Sequence, residues 1–122
     1  MAADLSTISY GSTGIKTYTV GFQPVKVTVM VGQKFATGQA FAHHSYGIGL
    51  TGANQRCDSE FQDTSSGITA SSDTKIVSVY ERVSGTITEV LSIALDSFTA
   101  TAVKFNVLTA NANYQLSVLV EG

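Results

Sequence analysis

Two histidines stand side by side at His43 and His44, and a short acidic group follows at Asp58, Glu60 and Asp63. Such side chains can hold a metal ion or move protons. On an extended chain, however, neighbours point to opposite faces. His43 and His44 therefore cannot share one ion, and they read as one partly buried and one surface histidine. Around a threefold axis a histidine would meet its symmetry mates and form a metal or pH-sensitive contact. Asp58 and Glu60, two apart, face the same way. They could bind Ca²⁺ or act as a glycosidase pair. With Arg56 beside them, the plainer reading is a solvated edge whose charges discourage aggregation.

Nucleophilic chemistry finds no constellation. There is no G-x-S-x-G elbow. Cys57 is the single cysteine, so it can form neither an internal disulfide nor a thiolate metal cluster, and it reads as a small buried hydrophobe. Gly47-Ile48-Gly49 lacks the third glycine of a dinucleotide loop. Tyr10, Tyr18, Tyr46, Tyr80 and Tyr114 could stack on sugars, but tyrosines on strands more often serve a core or an interface. No catalytic residue, metal ligand or cofactor is assigned, and an enzyme is not expected.

The elements that carry these residues read as strands. Residues 25–31 alternate strictly, with Val25, Val27, Val29 and Val31 on one face and Lys26, Thr28 and Met30 on the other. Further strands are expected at residues 15–20, 40–50, 54–61, 75–83, 86–95, 98–108 and 114–120. Ser84-Gly85 reads as a tight hairpin turn. Residues 62–74 read as a Ser/Thr-rich loop. Residues 1–14 read as a flexible arm, and 15–122 as one domain. The expected fold is an all-β antiparallel β-sandwich, jelly-roll-like, of about eight short strands. Its expected core includes Val27, Val29, Tyr46, Ile48, Val77, Val79, Leu91, Ile93, Phe105, Leu116 and Val118. Gly47 and Gly49 fall on the opposite side of their strand, where another backbone can approach closely.

The 122 residues are one domain's worth, and only 13% are charged, with a net charge of -2. No basic patch supports nucleic-acid binding. No apolar run has the length of a membrane span, and the first residues do not form a secretory signal. Low charge with a mean hydropathy of +0.18 suggests that apolar surface is buried against further copies of the chain.

Several segments resemble a group of small tailed-phage virion domains. Gly21-Phe22-Gln23-Pro24 before a Val-rich strand resembles that group's GFQPK-type opening. The segment from His44 to Leu50 is similar to its central H-x-x-x-G strand, and Ser66 to Thr74 to its DGVxTSDT loop. Asp96-Ser97-Phe98-Thr99, Phe105-Asn106-Val107 and the run from Asn113 to Val120 resemble its ending. This chain differs in placing Val25 before the lysine and in having no tryptophan. The resemblance covers residues 21–122. It implies a non-enzymatic virion part, made in the host cytoplasm and carried on the capsid surface. A free-standing domain of this size suits a capsid decoration (cement) protein that stabilises the shell. The alternative is a receptor- or carbohydrate-binding domain of the tail.

The expected partners are the major capsid protein and copies of the chain, with a trimer favoured. Neither nucleic acid nor membrane is expected. The arm, through Leu5, Ile8 and Tyr10, is the expected capsid contact, made by adding a strand to a partner's sheet edge. Met30, Phe41, His43 and Leu119 are the expected oligomer interface.

Overall fold

A computed structural model describes residues 2–32 and 42–122. The described residues form ten strands: β1 (Ala3–Ile8), β2 (Gly14–Thr19), β3 (Lys26–Val31), β4 (Ala42–Leu50), β5 (Asn54–Gln62), β6 (Gly67–Ser72), β7 (Val77–Val83), β8 (Thr86–Phe98), β9 (Ala102–Thr109) and β10 (Leu116–Glu121). They build a six-stranded sheet, β1-β10-β3-β4-β5-β6, and a four-stranded sheet, β2-β9-β8-β7. Every pairing is antiparallel. The antiparallel β-sandwich expected from the sequence is thus the fold observed.

Its connectivity is that of two meanders. β3 to β6 run consecutively across the large sheet, and β7 to β9 across the small one. A jelly roll instead alternates between its sheets. The β7–β8 hairpin closes through Ser84 and Gly85, both at positive φ (50° and 84°), the geometry of a type I′ turn.

The core follows from period-two patterning. Val27, Val29, Leu116, Val118 and Val120 from the large sheet meet Val77, Val79, Leu91, Ile93, Val103 and Phe105 from the small one, all essentially without exposure. In β8 the alternation is reset by a bulge, because Val79 pairs with Leu91 and Tyr80 with Glu89, leaving Val90 as the extra residue. That explains why Glu89 interrupts the row of Ile87, Leu91, Ile93 and Leu95. Its carboxylate accepts from Lys75 Nζ at 2.8 and 2.9 Å and from the Ser78 hydroxyl.

Three expectations are corrected. First, the arm expected over residues 1–14 is, over Ala3–Ile8, an edge strand of the chain's own large sheet. Its backbone pairs with β10 from Ala3↔Glu121 to Ile8↔Leu116, and the Tyr18 hydroxyl donates to Asp4. Second, the expected loop at 62–74 contains β6, held by β5 with Phe61 opposite Ile68. These two edge strands bring the count to ten. Third, β4 has the opposite phase from that expected. Tyr46 is 49% exposed, while His43, Ser45, Gly47 and Gly49 face inward.

Glycine makes this phase possible. A methyl group at Gly47 would lie 1.7 Å from the backbone oxygen of Ile76, and one at Gly49 would lie 2.5 Å from Leu95 Cδ2. The segment leading into β7 therefore rests directly on β4. The two sheets are tied there, because the Ser78 N–H donates to Ser45 Oγ at 3.1 Å.

Candidate interaction surface

The register of the large sheet determines which side chains share its solvent face. One row across the sheet runs Leu5, Leu119, Thr28, Ile48, Arg56. The next runs Thr7, Ser117, Met30, Tyr46, Asp58, Ser71. On the other side of the first row come Ala3, Glu121, Lys26, Leu50 and Asn54. The result is an apolar stripe on an otherwise polar surface. Leu5 is 74% exposed, Met30 51%, Tyr46 49% and Leu50 46%, with Leu119 and Ile48 half-buried among them.

The expected contact residues divide on this geometry. Leu5, Met30 and Leu119 share the solvent face. Ile8 and Tyr10 do not, because both pack against the core. The Tyr10 ring lies 6.5 Å from that of Phe105. The strand that was to reach a partner's edge is already paired at home, and its inward residues go with it. His43 is likewise corrected. It is fully buried, with Nδ1 3.0 Å from the Tyr80 carbonyl oxygen and its ring against those of Phe61 and Tyr114. His44, one residue on, is exposed. Phe41 lies outside the described residues.

The acidic group is also divided. Asp58 and Glu60 share the solvent face of β5, and Arg56 Nη2 lies 3.8 Å from Asp58 Oδ1. Asp63 belongs to another structure, the β5–β6 turn. Its Oδ1 accepts from the Ser65 and Ser66 N–H groups at 2.9 and 3.0 Å, and its Oδ2 accepts from Arg82 Nε at 2.7 Å. The Arg82 guanidinium and the two amides hold the Asp63 carboxyl well below the usual carboxylate range. Among the described residues no group of three His, Cys, Asp or Glu side chains is arranged to hold a metal ion.

The remaining reactive groups have structural surroundings. Cys57 points inward, and burial pushes its thiol up, away from the thiolate that reacts. Tyr114 is buried and donates to Glu81 Oε2 at 2.8 Å. Burial first, then that carboxylate, raises its hydroxyl above the ordinary phenol range. Comparison with protein-family models, curated proteins and solved structures gives no match to this chain.

Beside the stripe, at the β3–β6 end, the same face holds an open hollow of about 740 Å³. Tyr46, Asp58, His44, Glu60 and Thr69 line it. Tyr46 is directly opposite Asp58, and His44 directly opposite Glu60. Alternation on β4 and β5 was the sequence signal that could have paired them. An expectation that turns Tyr46 toward the core hides this pairing.

Proposed function

We propose that this protein is a non-enzymatic virion structural protein, a capsid decoration subunit that associates with copies of itself and stabilises the outer shell by binding the major capsid protein. The observation that carries the proposal is the exposed apolar stripe of Leu5, Leu119, Ile48, Met30 and Leu50. Several large apolar side chains on one sheet face are expensive to leave in water, and such groups mark association surfaces. The sequence resemblance described above points to the same class.

The edges of the large sheet are compatible with a head-to-tail ring such as a trimer. Rings of three require heterologous contacts, in which two different surfaces meet. β1 and β6 are different strands, and because six strands alternate in direction they run oppositely. Placing the β6 edge of one copy against the β1 edge of the next continues the antiparallel order. β6 carries no charged residue or proline to discourage such addition.

Two measurements test this. Light scattering at micromolar concentration should give about three times the chain mass, falling toward one chain mass for Leu5→Asp with Met30→Asp. Sedimentation with undecorated capsid shells should carry the wild-type protein into the pellet and leave the double variant in the supernatant. A monomer removes the self-association argument. Failure of the wild type to pellet with shells refutes the decoration reading.

A further inference from the structure

We infer that the hollow formed by Tyr46, His44, Asp58, Glu60 and Thr69 binds a neutral pyranose sugar. This goes beyond the structural role; the hollow adjoins the stripe and shares Met30 and Tyr46 with it, while Leu5, Leu119, Ile48 and Leu50 lie outside it.

Tyr46 carries the inference. Of the five tyrosines, Tyr114 is buried and Tyr10, Tyr18 and Tyr80 are half-buried, while Tyr46 is 49% exposed. It is also among the residues that line the open hollow. A flat aromatic face beside hydrogen-bonding groups suits a pyranose, which presents a patch of C–H bonds on one side and hydroxyls around its rim. Asp58 stands across from Tyr46, and Glu60 across from His44, with Thr69 beyond Glu60. Carboxylates accept from neighbouring hydroxyls, while imidazole and threonine can both donate and accept.

Size and charge narrow the ligand. Two residues along a strand span about 7 Å, and two strand spacings about 10 Å. That is the footprint of one or two sugar rings. A standard protein interface needs about 800 Å² from each partner, far more than this hollow offers. Two carboxylates, with Arg56 already beside Asp58, disfavour phosphates, sialic acids and nucleic acid. A divalent cation lacks a third ligand among the described residues. Cleavage of the sugar is not part of the inference. The Asp58 side chain is 73% exposed, the setting of a solvated carboxylate and not of a desolvated general acid.

A glycan array followed by amide-detected NMR titration tests the site. Neutral oligosaccharides on the array should be retained and sialylated ones not. The best neutral probe should then shift the amides of Tyr46, His44, Asp58 and Glu60 saturably, with a dissociation constant on the order of 1 mM. Tyr46→Ala should weaken binding at least about tenfold, whereas Tyr46→Phe and Leu5→Ser should bind like the wild type. Unchanged circular dichroism confirms that each variant is folded. Retention of no neutral glycan overturns the inference. So does preference for the sialylated set, or a Tyr46→Ala variant that binds as well as the wild type.

Discussion

Replacing Gly47 by alanine tests the packing of the two sheets at their closest point. The added methyl would sit 1.7 Å from the Ile76 carbonyl oxygen and 2.7 Å from the carbonyl carbon. These are backbone atoms, so no rotamer relieves the clash. Reaching ordinary contact near 3.4 Å requires the two strands to separate by roughly half that distance. Ile76 is fully buried and its N–H donates to the Ile93 carbonyl at 2.9 Å, so it cannot simply swing out. Separation also stretches the bond from the Ser78 N–H to Ser45 Oγ. Overpacking alone costs about 1–3 kcal/mol, and the lost hydrogen bond adds about 1 kcal/mol. The expected destabilisation is about 2–4 kcal/mol, a large share of the 5–15 kcal/mol typical of a domain. Two controls set the scale. At Gly49 the methyl meets the movable end of Leu95 at 2.5 Å, for which about 1–2 kcal/mol is expected. Gly21→Ala has open space but a φ of 81°, and should cost about 1 kcal/mol. Urea denaturation followed by circular dichroism ranks the three. A Gly47→Ala variant within about 1 kcal/mol of the wild type, or more stable than Gly49→Ala, would refute the contact between β4 and Ile76.

Further outcomes follow from individual contacts. Tyr114→Phe keeps the ring but removes the donor to Glu81, and should cost about 1–2 kcal/mol in the same assay. The Asp63 carboxyl is held below its ordinary value, so the unfolded chain takes up its proton first. Its pair with Arg82 therefore stabilises fully above about pH 4 and is lost as pH falls below that. Asp63→Asn keeps an acceptor for the Ser65 and Ser66 amides, and its melting temperature should fall less steeply than the wild type's between about pH 5 and pH 2. Cys57 should resist a thiol reagent in the native protein and react once urea unfolds it; rapid labelling of the folded chain would contradict its burial.

Where side chains alternate and both sides of the alternation have a clear preference, the sequence was a sufficient guide. Val27 and Val29, Val77 and Val79, Leu91 and Ile93, Phe105, Leu116 and Val118 are all buried as expected. The edge strands were not legible, for a physical reason. β1 (ADLSTI) and β6 (GITASS) carry short hydroxyl side chains that suit a loop as well as a strand, and only their partners, β10 and β5, make them strands. The candidate surface was half legible. Asp58 and Glu60 share one face as expected, but the alternating row of Tyr46, Ile48 and Leu50 reads as core-facing, and the hollow is lost with it. His43, Phe61 and Tyr114 form a buried aromatic group whose members are far apart in sequence, so no local pattern announces it.

One feature of β4 joins the core to the surface. On the inner side, Val29 stands opposite Gly47 and Val27 opposite Gly49, and Ser45 stands opposite Val31. Small residues beside valines leave a trough, and Ile76 fills it. A strand that gives its inner face to small residues must carry its bulk outside. Tyr46, Ile48 and Leu50 are therefore on the solvent face because the small sheet occupies the space where they would otherwise pack. Their placement on the outer face thus follows from a close backbone contact in the interior. Substitutions there should alter binding while leaving stability within about 0.5 kcal/mol, whereas substitutions at Gly47 should disturb both. Tyr46→Ala therefore reads binding rather than folding.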